Sequence, residues 1–128
     1  MSNTALDRIN ATVQDFTTQQ QFDNWLFELG KTKAPRNIRD KQNFIRGCQV
    51  DVWLVADSEG LLFDCDSAHV RGLCSVIAQV LDTTDDVNSV MFSDFANVTK
   101  YIPVIRKRGF QKLLNHAQTL LTSEHSVL

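Results

Sequence analysis

Cys48 is the residue of this chain whose surroundings best suit covalent chemistry. It follows Arg46 and Gly47 in a stretch without helical apolar periodicity. A thiol attacks as its thiolate, so a nearby cation that lowers the pKa makes it a better nucleophile. These features make Cys48 a candidate nucleophile. A lone cysteine is more often a small buried hydrophobic residue, and local sequence alone slightly favours that second interpretation.

The other two cysteines are weaker candidates. Cys65 lies between Asp64 and Asp66, whose negative charge is expected to raise its pKa and slow its attack. Cys74 falls on an apolar helical stripe, which predicts a place in the core. Cys65, His69 and Cys74 are not expected to bind zinc, because zinc needs four ligands, or three and a water, and no fourth ligand is evident.

A Cys-His hydrolase stays open as an alternative. It needs one of His69, His116 and His125 close to Cys48, with a third group that orients the imidazole. The chain carries no Walker-type glycine loop, dinucleotide fingerprint or paired-carboxylate spacing. We therefore expect no cofactor.

Composition is that of one ordinary globular domain over residues 1–128. The chain is 43% hydrophobic and 22% charged, and its formal net charge is -2. That balance predicts neither nucleic acid nor an anionic membrane as a partner. The longest strongly apolar runs, such as residues 52–56, are too short to span a bilayer. A polar start and three cysteines without a C-x-x-C pair predict a cytoplasmic protein with free thiols.

Charge is nevertheless distributed in blocks. Residues 31–46 are basic, residues 57–94 are acidic, and a second basic cluster covers residues 106–108 with Lys112. Such blocks are usually solvated faces. The alternative is that a basic surface meets an acidic protein partner and speeds the encounter.

Apolar residues recur with helical spacing in some segments of the chain and with strand spacing in another. Helical spacing predicts two helices before Gly30 and another that is capped by Asp66 or Ser67. Alternation over residues 50–55, a turn at 57–60 and a return from Leu61 predict a hairpin. The residues on the third helical stripe are Val70, Leu73, Cys74, Ile77 and Leu81.

The remaining segments complete the predicted fold. Residues 31–43 are expected to be a loop, residues 86–95 a short helical segment, and the last helix is expected to follow Gly109. Helices on both sides of a hairpin-based sheet predict an α+β domain, with helices packed against a small antiparallel sheet.

Residues 45–54, IRGCQVDVWL, resemble the signature of the SufE family of sulfur acceptors for cysteine desulfurases. Residues 64–73, DCDSAHVRGL, are similar to a second family block in register without a gap. Weaker similarity is found at residues 25–30 and 106–110. The resemblance therefore extends over about residues 20–122.

This resemblance implies a function for Cys48. A pyridoxal-phosphate desulfurase holds sulfur as a persulfide, and the acceptor thiolate takes the outer sulfur and relays it to an iron–sulfur scaffold. In resting members the thiol can lie in an apolar pocket and emerge on docking. Arg46, Gly47 and Gln49 flank the thiol within the first block. Arg71 and Arg106 match basic positions of the family, which implies a supporting or docking role.

The chain departs from the family pattern at several positions. Val50 stands where Ser is common after the G-C-Q triplet, and Cys65 stands where Ser is usual. The loop before Cys48 keeps only Pro35 of a proline- and leucine-rich stretch. We interpret the chain as a divergent acceptor, with a non-catalytic regulatory module for a desulfurase as the alternative.

Overall fold

The computed structural model describes residues 4–31, 37–46 and 50–126, with the backbone alone for residues 123–126. The helices are α1 (Thr4–Gln14), α2 (Gln19–Gly30), α3 (Ala68–Leu81), α4 (Ala96–Thr99) and α5 (Val104–Ser126). The strands are β1 (Phe44–Ile45), β2 (Val52–Asp57) and β3 (Gly60–Cys65). These helices flank an antiparallel sheet of order β1-β2-β3, which confirms the predicted α+β class.

The register of the sheet separates a core face from an outer face. Val52 pairs with Ile45 on one side and with Cys65 on the other, and all three are buried. Successive side chains of a strand point to opposite faces. The adjacent paired positions, which lie together on the outer face, are Phe44, Trp53 and Asp64.

α3 is the central helix of the fold. Ser67 caps it, because its hydroxyl oxygen accepts a hydrogen bond of 3.3 Å from the N–H of Val70. Ten of its 14 residues are buried. The whole predicted stripe lies in the core, including Cys74, which is 1% exposed.

α2 and α3 cross with their backbones in contact. A Cβ atom at Gly30 would collide with the carbonyl oxygen of Ala68, and one at Gly72 would collide with that of Leu26. α2 ends at Gly30 as predicted, but the cause is different. Lys31 follows in right-handed helical conformation with a φ of -74°, so Gly30 is required for packing at the crossing.

The structure moves one predicted helix boundary, adds one strand and defines one helical segment. α5 begins at Val104, where the carbonyl of Pro103 accepts the first hydrogen bonds, and Gly109 lies inside the helix. A glycine inside a helix costs only about 1 kcal/mol relative to alanine, which the rest of a long helix offsets. β1 was not predicted, and the short helical segment predicted at 86–95 consists of two 3₁₀ turns, Val87–Ser89 and Phe92–Phe95.

We predict that Gly72→Ala destabilises the protein by about 1–3 kcal/mol, because backbone atoms of α2 must move away from the new methyl group. Gly109→Ala is the matched control. Among the described residues, no atom outside the backbone of α5 itself lies within 4 Å of a Cβ at that position, so this change should stabilise α5 by about 0.5–1 kcal/mol. Chemical denaturation measures both free energies of unfolding. Equal stability of Gly72→Ala and wild type would contradict the proposed crossing.

Candidate functional site

Gly47, Cys48 and Gln49 lie outside the described residues, so their predicted roles stay predictions. The flanking structure fixes where they stand in the topology. Ile45 of β1 pairs with Val52 of β2, so residues 46–51 connect two adjacent antiparallel strands. We call residues 46–51 the β1–β2 connection, and Cys48 falls within it in the sequence.

Two concave surfaces lie at the described ends of this connection. The first, which we call the apolar cavity, has a volume of about 390 Å³. Its lining includes the apolar residues Val50, Val70, Leu73, Phe110 and Leu113. The second, which we call the polar groove, measures about 610 Å³ and runs between β1 and α5. Its lining includes Arg46, Gln111, Asn115 and His116.

Cations form the border between these two surfaces. Arg108 and Lys112 of α5 line both the cavity and the groove. Arg46 adds a charge to the groove, and Arg106 adds one to the cavity. All four side chains belong to exposed residues. None of them forms an ion pair within the part of the chain that the structure describes.

The three predicted supporting arginines are thus placed differently. Arg46 and Arg106 lie on the surfaces that border the β1–β2 connection. Arg71 lines neither surface; it is half-buried in the first turn of α3, where its charge helps to lower the pKa of Asp64. The structure therefore associates Arg71 with the end of β3.

A cluster around Arg39 was missed by the sequence analysis. The Nε of Arg39 donates to Asp64 at 2.8 Å, and its Nη1 lies 2.8 Å from Asp66 Oδ1. The guanidinium also stacks over the ring of Trp53 at 4.4 Å, and Phe44 contacts the same ring at 5.7 Å between centroids. Through these contacts, Arg39 holds the segment before β1 against the outer face of the sheet.

The hydrogen bond from Arg39 is the main reason why the pKa of Asp64 is lowered. The two residues are 25 positions apart, so no local pattern indicates the pair. The only signal in the sequence was the opposition between a basic block before Cys48 and an acidic block after it.

Cys65 and Cys74 are buried thiols, at 2% and 1% exposure. The pKa of Cys65 is raised, as predicted, but burial is the larger cause, and the charges of Asp66 and Asp64 add to it. The N–H of Ser67 donates to its sulfur at 3.4 Å. A protonated, inaccessible thiol is a poor nucleophile.

Metal and membrane sites were also sought in residues 4–31, 37–46 and 50–126. Among the side chains that the structure describes, no group of three or more from His, Cys, Asp and Glu is placed to hold a metal ion. Within the same ranges, no helix has the length and apolar character needed to cross a bilayer.

Comparison with known proteins identifies the family. The sequence profile described as "SufE: Fe-S metabolism associated domain" matches residues 7–121 of the 128. The chain belongs to the SufE family. The match includes Cys48 and every flanking or supporting residue named above, and it associates the chain with iron–sulfur metabolism.

A solved structure has the same fold. The chain is similar to the solution structure of a hypothetical protein from Thermus thermophilus, with 16% sequence identity and a TM-score of 0.79. The similarity covers 98% of this chain and 99% of the other. It confirms that the SufE-family chain and the Thermus protein share an α+β architecture.

We predict that Cys65 and Cys74 resist alkylation in the native protein, because both sulfurs are buried and burial raises the pKa of Cys65. Iodoacetamide at mildly alkaline pH, followed by peptide mass spectrometry, gives the rate at each cysteine. Both should react only after denaturant is added. Native modification of Cys65 at the rate of a free thiol would contradict its described burial.

We predict that Arg39→Gln lowers the melting temperature at neutral pH by removing the bridge to Asp64 and Asp66. The folded pKa of Asp64 is depressed, so this stabilisation is present above the usual Asp pKa of about 3.9 and is lost as pH falls through the folded value. The difference from wild type should therefore be constant above about pH 5 and shrink steadily as the pH is lowered below it.

Lys31→Gln is the control for this change, because its pair with Glu28 joins side chains that are 66% and 70% exposed. Its melting temperature should stay close to wild type at every pH. A loss at Arg39→Gln that did not vary with pH would show that packing on Trp53, and not the ion pair, holds the segment.

Proposed function

We propose that this SufE-family chain is a sulfur acceptor whose Cys48 takes persulfide sulfur from a pyridoxal-phosphate cysteine desulfurase. The observation that carries the proposal is the setting of the β1–β2 connection. Arg46 and Val50, which lie two positions before and two positions after Cys48, are on surfaces bordered by cations that have no ion-pair partner among the described residues. Two Cα–Cα steps of about 3.8 Å keep Cys48 within about 7.6 Å of each, measured between Cα atoms.

The transfer step needs one thiolate and no added oxidant. The Cys48 thiolate attacks the outer sulfur of the desulfurase persulfide, and a new S–S bond forms on Cys48. The original S–S bond breaks, and the desulfurase cysteine leaves as a thiolate that takes up a proton. A sulfur atom has moved, and the number of persulfides is unchanged.

The cationic border supports this step. Positive charge near a thiol favours its ionised form, and both the attacking and the leaving sulfur carry negative charge. Arg46, Arg108 and Lys112 supply that charge without a carboxylate partner in the described part of the chain. The two described thiols lack such surroundings, because both are buried.

The apolar cavity is large enough to hold the Cys48 side chain between reactions. Val50 is part of its wall, and its volume of about 390 Å³ is ample for a short side chain of the same connection. Storage there would keep a persulfide away from water and from unwanted thiols between docking events. Such storage also agrees with the behaviour that the family resemblance implies.

A Cys-His hydrolase is less well supported. His116 lines the polar groove near Arg46, and burial lowers its pKa, so it is neutral near pH 7. Among the described residues, however, no carboxylate forms a hydrogen bond or ion pair with it. The described residues therefore offer this histidine no carboxylate to orient it as in a catalytic triad.

The proposed acceptor works in the cytoplasm as one domain, residues 1–128, without a cofactor of its own. Its partners are the desulfurase that supplies sulfur and an iron–sulfur scaffold that receives it. Nucleic acid and membrane have no part in this relay.

We predict that the protein accelerates L-cysteine turnover by its desulfurase and that Cys48→Ser abolishes the acceleration. Alanine release gives the rate, and mass spectrometry of the wild-type protein should find one added sulfur atom on Cys48. Cys65→Ser is the matched control, because it changes a buried thiol and should leave both readouts intact.

The outcome also separates the two leading functions. If Cys48→Ser stimulates as well as wild type and no persulfide forms, the chain is a regulatory module and the acceptor proposal is wrong.

A further inference from the structure

The first turn of α5 exposes two adjacent large hydrophobic side chains. Val104 is 81% exposed and Ile105 is 69% exposed, the highest values for large hydrophobic residues in the described part of the chain. Single exposed hydrophobic residues are ordinary, but a contiguous apolar patch indicates an interaction site. Here the pair continues into the apolar cavity, whose wall both residues help to form.

Basic residues surround this apolar pair. Arg106, Arg108 and Lys112 line the cavity with it, and none has an ion-pair partner among the described residues. The first turn of α5 also has no acidic residue. The positive end of the helix dipole therefore adds to these positive charges, and no carboxylate in that turn offsets it. By contrast, the guanidinium of Arg39 is already neutralised by Asp64 and Asp66.

We propose that this surface, Val104–Arg108 with Lys112 and the apolar cavity, is where the desulfurase docks, through an acidic patch that presents an apolar side chain to the cavity. The choice of partner rests on the proposed function. Charge complementarity selects the acidic patch and speeds the encounter. The cavity gives the contact a place for a buried anchor, which a purely electrostatic encounter would not need.

The position of the surface favours this partner. Arg108 and Lys112 line both concave surfaces, and those surfaces contain Val50 and Arg46 at the two ends of the β1–β2 connection. A protein that covers these cations is therefore brought against the segment that carries Cys48. Nucleic acid would satisfy the charges but would leave Val104 and Ile105 without an apolar partner.

Charge reversal of Arg108→Glu with Lys112→Glu tests the electrostatic half of the proposal. Calorimetric titration with the desulfurase should show affinity reduced by about tenfold or more, and the salt dependence of wild-type binding should become shallower. Arg8→Glu with Lys100→Glu is the control. It makes the same change in net charge at exposed residues that line neither surface, and it should bind like wild type.

Val104→Ser with Ile105→Ser tests the apolar half. Because both side chains are largely exposed, the melting temperature should stay unchanged while affinity falls by about tenfold. Affinities of both surface variants within about twofold of wild type would overturn the proposal. So would sedimentation of the free protein as a dimer that the charge reversal dissociates, since a second copy would then be the occupant.

The experiment separates this inference from the proposed function. If the surface variants lose binding but wild-type Cys48 never acquires sulfur, the docking surface is right and the acceptor role is wrong. If Cys48 acquires sulfur and the surface variants bind normally, the acceptor role stands and docking occurs elsewhere. A wild-type protein that does not bind the desulfurase overturns both.

Discussion

The crossing of α2 and α3 at two glycines is the constraint on which the rest of the structure depends. Without a Cβ at Gly30 or Gly72, the two backbones touch, and α3 is buried on nearly every side. A helix with so little exposed surface determines where its neighbours can pack. β3 leads directly into it through the Ser67 cap, so the position of the sheet follows from the position of α3.

The cations that the structure describes fall into two groups, those that are paired with described carboxylates and those that are not. The charge of Arg39 is neutralised on the outer face of the sheet, where Asp64, Asp66 and Trp53 contact the guanidinium and hold the chain before β1. The cations at the start of α5 have no such partners in the described residues. The first arrangement organises the fold, and the second leaves a positive field beside the β1–β2 connection.

Local patterns predicted the elements that are defined by their own residues. The α3 stripe, a cap at Asp66 or Ser67 and the β2–β3 hairpin were all predicted from residue types and spacing, and the structure has Ser67 as the cap. Features that depend on distant partners were not. β1 has two residues and exists only because β2 lies beside it, and Arg39 finds its carboxylates 25 positions away. For the site, motif similarity pointed to Cys48, but spacing could not reveal the two concave surfaces that border its segment.

The long α5 carries the proposed docking surface in its first turn and core residues in its later turns. Its later turns contribute Leu113, Leu114 and Ala117 to the core, each at most 2% exposed. Its first turn carries Val104 and Ile105 on the surface, where their substitution removes no core contact. Partner choice can therefore change through the first turn at little cost in stability. The proposed relay function requires this separation, because a sulfur relay must bind its partner reversibly without disturbing the fold that holds its nucleophile.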